Sequence, residues 1–304
     1  MLRIPGNDSL PRLFSELATA HQSLSGITSY LLSVSTLSTR GLRIGLVQLE
    51  VTPSKSENLR NVIDSLGMTR GCDLVVFPEY CMGYPEGQLT REFAAEIGER
   101  LNGDFVTRVA EVSREKQVAV VLPIFEKADG AVYNTAVVIG KGKVMGGYRK
   151  VHLFDALGFR ESDIFQPGSE LVLFTVREFT LGVIICYDVR FPELAKQEVM
   201  SGARVVIVPA GWVRGPLKEE QWQTLLMARA AENTSYVVGV GNAHETFIGR
   251  SIVVDPFGVK VLDLGYGNRL GQVEIDDSRI SEAREKIPVI EQSKQLSAVK
   301  CRRL

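Results

Sequence analysis

Short runs rich in β-branched residues alternate with helix-length amphipathic segments from Gly41 to the end of the chain. This alternation is typical of α/β proteins, in which helices cover the faces of a sheet. No repeat of solenoid length is visible in the sequence, and no second domain boundary stands out. We therefore expect one α/β domain over residues 41–304, preceded by an extension over residues 1–40.

The same patterns predict the individual elements. Strands are predicted at residues 43–49, 74–77, 119–125, 132–139, 143–149, 180–186, 205–209, 236–241, 250–254 and 272–275. Helices are predicted at residues 54–70, 104–116, 191–201, 218–233 and 277–286. Gly140-Lys141-Gly142 separates two extended runs, which indicates a hairpin over residues 132–150.

Three reactive side chains follow predicted strands. Cys186 ends the run that starts at Leu181, while Glu79 and Lys150 each come directly after or close to the end of another strand. A free thiol with its ordinary pKa of about 8.5 is only slightly ionised at neutral pH, so it needs a base or a cation nearby. A carboxylate can accept its proton, and an ammonium can stabilise an oxyanion. The three side chains together predict a cysteine hydrolase that uses no histidine.

Each of these residues also has an ordinary structural interpretation. Buried free cysteines are common and inert, and we interpret Cys72, Cys81 and Cys301 in this way. A catalytic role is favoured for the other three because strand ends converge at one edge of an α/β sheet. A dyad of Cys186 with His152 remains the alternative, since His152 lies two residues after Lys150.

The three segments together resemble the glutamate, lysine and cysteine motifs of the nitrilase (carbon-nitrogen hydrolase) superfamily, in the order found there. They are Phe77-Pro78-Glu79-Tyr80, residues 148–154 and residues 185–193, and the resemblance extends over residues 41–299. It implies a four-layer α-β-β-α sandwich with the active site at strand ends. Residues 159–162 resemble the segment that supplies a second glutamate in many members, which would be Glu161.

The chemistry of the groups gives each a role. Glu79 would act as general base for Cys186 and then pass the proton to the leaving nitrogen. Water would next cleave the resulting thioester. The Lys150 ammonium and the backbone N–H of Tyr187 would form the oxyanion hole, and Glu161 would orient Lys150 or place the water. No metal and no organic cofactor are implied.

Further polar and aromatic residues are assigned to the surroundings of the site. We expect Tyr187, Trp212, Tyr133 and Arg190 to contact substrate, although buried aromatic residues more often belong to the core. Asp188 and Arg190 are expected to form an ion pair that fixes the turn after the nucleophile. The helical segment with Arg229, Glu232 and Asn233 is expected to pack against the nucleophile layer.

The resemblance also indicates a substrate class. Residues 158–163 and 211–222 are most similar to short amidases that act on ω-amides of keto acids and on deaminated glutathione. The implied substrate is a small amide with a free carboxylate, which needs a cation besides Lys150. The candidates are Arg160, Arg190, Arg214 and Lys218. Nitrile or N-carbamoyl hydrolysis is the enzymatic alternative, and a catalytically idle scaffold that binds partners is the alternative without chemistry.

Composition and charge limit the classes of molecule that the protein is expected to bind. The 304 residues are 45% apolar and carry 35 basic and 36 acidic side chains, so the balance gives no reason to expect nucleic-acid or membrane binding. Four irregularly spaced cysteines argue against a disulfide framework or a zinc site. A reducing, cytoplasmic location is therefore expected, and the resemblance implies a homodimer or a higher homo-oligomer.

Residues 1–40 differ in kind from the rest. They are rich in Ser, Thr and Leu and lack an apolar run long enough to span a bilayer. Asp8 and Glu16 are unfavourable in an organelle transit peptide, which remains an alternative. A loosely ordered extension, or an over-long start of the reading frame, is the favoured interpretation.

Overall fold

A computed structural model describes residues 41–294 together with Arg302. The sequence predictions for residues 1–40 and for Cys301 lie outside the described residues. The helices are α1 (Lys55–Met68), α2 (Arg91–Ile97), α3 (Asp104–Lys116), α4 (Pro192–Met200), α5 (Lys218–Asn233), α6 (Asp277–Lys286) and α7 (Val289–Ser293). The strands are β1 (Leu42–Gln48), β2 (Leu74–Val76), β3 (Ala119–Ala128), β4 (Ala131–Gly140), β5 (Lys143–Arg149), β6 (Leu173–Val176), β7 (Phe179–Val183), β8 (Val205–Ala210), β9 (Tyr236–Gly241), β10 (Ile252–Val254), β11 (Lys260–Asp263) and β12 (Arg269–Ile275).

The strands form two mixed six-stranded sheets. The first sheet has the order β12-β1-β2-β3-β4-β5, and the second has the order β11-β10-β9-β8-β7-β6. Parallel pairs lie at the centre of each sheet, β1–β2–β3 in the first and β7–β8–β9 in the second. The predicted hairpin over residues 132–150 is confirmed, because β4 and β5 pair antiparallel.

Alternation along the central strands builds two separate cores. Leu74 and Val76 of β2 pack into the core shared by both sheets, together with β7, β8 and β9. Val75 points to the opposite face, where it packs with Val62 of α1 and Phe105 of α3. Successive side chains of a strand point to opposite faces, so both faces of this sheet must be covered.

The second sheet is covered on its outer face by α4 and α5. Ala195 of α4 and Trp222, Leu226 and Ala230 of α5 are fully buried in the same core as the strands of this sheet. The layers are therefore helix, sheet, sheet, helix, and the predicted four-layer sandwich is confirmed. Among the described residues, no helix has the length and apolar character needed to span a bilayer.

Candidate active site

The nucleophile candidate lies in a tight turn beyond strand β7. The strand ends at Val183 and a 3-10 turn begins at Cys186, so the predicted strand 180–186 is too long at its end. Cys186 has a φ of +48°, a conformation that costs a non-glycine residue on the order of 1 kcal/mol or more. The turn exposes Cys186 at the wall of a cavity.

Lys150 lies at the floor of that cavity, and Glu79 lies directly behind it. Glu79 follows β2 and Lys150 follows β5 directly, and the two side chains are 0% and 1% exposed. Lys150 Nζ lies 2.9 Å from Glu79 Oε1 and 2.8 Å from Glu161 Oε2. The structure therefore brings together four side chains that are far apart in the sequence: Glu79, Lys150, Glu161 and Cys186.

Neutral donors complete the hydrogen bonding of both carboxylates. Asn134 donates to Glu79 Oε1 at 2.8 Å, and the backbone N–H of Gly211 donates to Glu79 Oε2 at 2.6 Å. A β-carbon at position 211 would lie 2.8 Å from the ring of Tyr80, so only glycine permits this close approach. The Tyr80 hydroxyl in turn donates to Glu161 at 2.6 Å. Both carboxylates are thus held in fixed orientations.

Sequence reasoning did not single out Asn134 or Tyr80. Asn134 is a polar residue within the otherwise apolar strand β4, and a buried amide needs partners. This is the one signal that could have identified it. Tyr80 directly follows Glu79 and has a φ of +65°, which directs its side chain back toward the same cavity.

The buried groups at the floor shift the pKa values of Lys150 and Cys186. Burial alone would lower the pKa of Lys150, but Glu161 and Glu79 outweigh burial and raise the pKa well above its ordinary value. Burial, followed by the charge of Glu79, raises the pKa of the Cys186 thiol well above its ordinary value, although Lys150 opposes this. The resting sulfur therefore carries its proton, and attack requires a base. Glu79 is the candidate for that base, since of the two nearby carboxylates it has the larger electrostatic effect on the thiol.

Asp188 joins the lysine segment to the nucleophile turn. Its Oδ2 accepts hydrogen bonds from the Tyr148 hydroxyl at 2.8 Å and from Ile185 N at 3.1 Å. Its Oδ1 accepts from the backbone N–H of His152 at 2.8 Å. Tyr148 and His152 flank Lys150 on either side. One buried carboxylate thus fixes the ammonium and the thiol relative to each other.

One prediction about this turn is wrong, and one alternative finds no support. Arg190 does not pair with Asp188, because it donates instead to Gln221 Oε1 at 2.8 Å, while Asp188 is fully buried and occupied by other donors. His152 does not face Cys186. Its ring stacks on Phe191 with centroids 3.5 Å apart and it does not line the cavity. The alternative dyad therefore has no support from the geometry.

The cavity has a volume of about 460 Å³, which is within the range of small-molecule sites. Tyr187, Trp212 and Arg190 line it as predicted, and so do Arg160 and Lys218. Aromatic residues that the sequence did not indicate complete the lining: Tyr84, Phe154, Phe159 and Phe247. The cavity lining therefore combines aromatic side chains with charged ones, and the charged residues include the acids Glu92 and Asp163 as well as the cations.

Two predicted contacts lie elsewhere. Tyr133 does not line the cavity, and its ring is covered by the Arg149 guanidinium, 3.9 Å from the ring centroid. The prediction that Tyr133 contacts substrate is wrong, because side chains alternate along β4 and Asn134 is the one that reaches Glu79. Arg214 lies over the ring of Tyr266 at 5.9 Å and is also absent from the cavity.

The helix with Arg229 packs as predicted. Arg229 Nε donates to the carbonyl of Val189 in the nucleophile turn at 2.8 Å, and Asn233 is fully buried. No cluster of three or more metal-ligating side chains is present in the part of the chain that the structure describes. The described cysteines, Cys72, Cys81 and Cys186, are free.

Comparison with known proteins agrees with this geometry. The family model for carbon-nitrogen hydrolases matches residues 43–285. A deaminated glutathione amidase of Escherichia coli is 35% identical over 213 residues, covering 68% of this chain and 81% of the relative. An omega-amidase of Bos taurus is 31% identical over 268 residues, covering 83% of this chain and 95% of the relative.

A solved structure has the same fold. Saccharomyces cerevisiae Nit3, a member of branch 10 of the nitrilase superfamily, superposes with a TM-score of 0.73 at 27% identity, covering 84% of this chain and 97% of that chain. The predicted membership in the superfamily is confirmed by these matches. The chain belongs to the carbon-nitrogen hydrolase family and is a hydrolase of the amidase type.

Proposed function

We propose that the protein hydrolyses a small carboxylated amide to the acid and ammonia through a thioester on Cys186. The observation that carries this proposal is that Cys186 and Lys150 line one cavity, and that the buried Glu79 contacts Lys150 there, with Lys150 Nζ 2.9 Å from Glu79 Oε1. The amidase names of the two relatives support the amide as the substrate.

The two half-reactions share one proton carrier. Glu79 takes the thiol proton as sulfur attacks the carbonyl carbon, and it then gives that proton to the nitrogen, so ammonia leaves as the C–N bond breaks. Water, deprotonated by the same carboxylate, attacks the thioester, and the acid and the thiol are released. Lys150 and the Tyr187 N–H stabilise the oxyanion in both steps. Glu161 keeps Lys150 charged and oriented through their contact of 2.8 Å.

An ammonia-release assay with matched ω-amides, nitriles and N-carbamoyl compounds tests the reaction class. We expect turnover of the amides, and faster turnover of nitriles or N-carbamoyl compounds would overturn the amide proposal. Intact-mass spectrometry of quenched enzyme should show the acyl group on wild-type protein. The Cys186→Ala variant is the matched control and should stay unmodified.

Iodoacetamide alkylation tests whether the site is active or idle. Cys72 is a matched internal control because it and Cys186 are both 8% exposed, and burial raises the pKa of Cys72 to about 11. Cys186 should react faster because Glu79 can accept its proton. Equal rates at Cys72 and Cys186 in the wild type would favour the idle scaffold.

We also propose a homo-oligomer and a reducing, cytoplasmic location. Met200 of α4 and Met227 of α5 are 47% and 38% exposed on the outer helical layer, which supports pairing through that face. The free thiols of Cys72, Cys81 and Cys186, the cysteines that the structure describes, support a reducing compartment. Sedimentation equilibrium of wild type and of Met200→Glu tests the first proposal, and a monomeric wild type would overturn it.

A further inference from the structure

Two cations on the cavity wall have no anionic partner. Arg190 and Lys218 both line the cavity beside Cys186, and no carboxylate of the described residues forms an ion pair with either. Of the other cations that line the cavity, Lys150 is paired with Glu79 and Glu161, and Arg160 pairs with Asp163 at 3.1 Å. Arg91 also has no ion pair among the described residues, but it is exposed to solvent at the rim, where water stabilises its charge.

The surroundings of Lys218 are unfavourable for a charge without a partner. Burial, followed by the nearby charge of Arg190, lowers the pKa of Lys218. Its Nζ lies 5.8 Å from the ring centroids of Phe154 and Trp212, and these rings offer only weak cation–π stabilisation. A bound anion between the two cations would relieve their repulsion.

The two cations are not equivalent. Arg190 is already engaged, because it donates to Gln221 and lies along the face of Trp212 at 4.8 Å. The Lys218 ammonium has no hydrogen-bond acceptor among the described side chains and backbone groups, so its donors are available to a ligand. Its main chain is nevertheless fixed, since Trp212 Nε1 donates to the Lys218 carbonyl at 2.8 Å.

We propose that Lys218 is the specificity-determining residue that binds the free carboxylate of the substrate, with Arg190 as its neighbour on the same wall. This inference rests on the proposed function, and it assigns one residue to the free carboxylate of the substrate proposed there. The carboxylate lies against the wall of Lys218, Trp212 and Phe154, while the amide carbon lies at Cys186. Relatives of the substrate that lack the carboxylate leave the cations unneutralised and bind poorly.

Two amides of similar size separate this role from a general effect on the site. Succinamate carries the carboxylate, and butyramide has a methyl group in its place. Wild type should prefer succinamate in kcat/KM. Lys218→Met should lower kcat/KM for succinamate by about 10- to 100-fold, mainly through KM, and change the value for butyramide by less than about twofold.

Three variants serve as controls. Lys218→Arg keeps the charge and should keep most of the preference. Arg214→Met removes a nearby cation that lies outside the cavity and should change neither substrate. Arg91 is exposed at the rim of the same cavity, so loss of the preference in Arg91→Met but not in Lys218→Met would overturn the assignment.

A binding measurement without turnover keeps this inference separate from the proposed function. Calorimetric titration with succinate should show at least about tenfold weaker binding to Lys218→Met than to wild type. If wild type hydrolyses neither amide but this difference is found, the amidase proposal fails and the carboxylate site stands. Equal losses for both amides in Lys218→Met, or unchanged succinate binding, would overturn the inference alone.

Discussion

Buried carboxylates lie both at the cavity floor and behind strand β7, and of these two places only the floor supplies a counter-charge. Glu79 is 0% exposed and contacts Lys150, Asn134 and the N–H of Gly211. Glu198 of α4 is also 0% exposed, yet neither of its oxygens has a hydrogen-bond partner among the described residues. A β-carbon at position 182 would overlap its carboxyl group, so Gly182 makes room for it.

The difference shows what a buried acid needs in order to do chemistry. Burial and the charge of Asp188 raise the pKa of Glu198 well above its ordinary value, so Glu198 is held as the neutral acid. At the floor, the two carboxylates instead raise the pKa of Lys150, and a charged cluster results. A buried carboxylic acid without a counter-charge, such as Glu198, stays neutral. An ammonium at 2.9 Å, as Lys150 provides to Glu79, favours the carboxylate that can act as a base.

The largest expected effect comes from removing the sulfur while the charges stay in place. Cys186→Ala should lower kcat by roughly 10⁴-fold or more, because the covalent route is lost. The ion pairs at the floor remain, so unfolding in urea should change by less than about 1 kcal/mol. Cys72→Ala is the control and should keep its activity. Retention of more than about one tenth of the activity by Cys186→Ala would exclude Cys186 as nucleophile.

Removing Lys150 should leave the buried carboxylates at the floor without a counter-charge, which is the situation of Glu198. Lys150→Met leaves Glu79 and Glu161 without a counter-charge, so we expect a loss of about 3 to 5 kcal/mol in the free energy of unfolding, together with loss of activity. The exposed Lys143 provides the control variant Lys143→Met. Adding Glu161→Gln to Lys150→Met should recover part of the lost stability, and no recovery would show that the carboxylates are not the cause.

Much of the fold could be predicted because long periodic segments determine their own structure. The bounds of β5, β9, α3, α5 and α6 agree with prediction. The strands β6 and β11 have four residues each and lie at the edge of the second sheet. They were missed because short edge strands depend on their neighbours for stability. The short helices α2 and α7 were missed for a similar reason.

The candidate site, too, could be predicted only in part. Glu79, Lys150 and Cys186 could be found because each follows a recognisable strand or motif. Asn134 could not be paired with Glu79, since 55 positions separate them and only the sheet brings them together. Asp188 was correctly placed in the nucleophile turn but given the wrong partner. Its actual donors come from the lysine segment, 36 and 40 positions earlier.

A smaller effect is expected at Asp188, which positions groups without touching the reacting atoms. Asp188→Asn replaces one of the two acceptor oxygens with an NH2 group. The hydrogen bond from the Tyr148 hydroxyl or the one from the His152 N–H is then lost. We expect kcat to fall about 10- to 100-fold with little change in KM, because the thiol and the ammonium lose their fixed geometry. The exposed Asp129, in the turn between β3 and β4 and outside the cavity, gives the control Asp129→Asn. An equal rise in KM would indicate damage to substrate binding instead of positioning.

The smallest effect is expected at Glu198 and it depends on pH. Since the folded-state pKa of Glu198 is raised, the unfolded state loses its proton first as pH rises, and stability then falls with increasing pH. Glu198→Gln cannot ionise and escapes this loss. It should therefore be more stable than wild type by more than about 1 kcal/mol at pH 8 and by less at pH 5, measured by urea unfolding. Glu193 lies on the same helix but is exposed, and Glu193→Gln should show no such pH dependence. A gain in Glu198→Gln that is equal at both pH values would mean that Glu198 is ionised in the folded protein, and the contrast with the cavity floor would then be wrong.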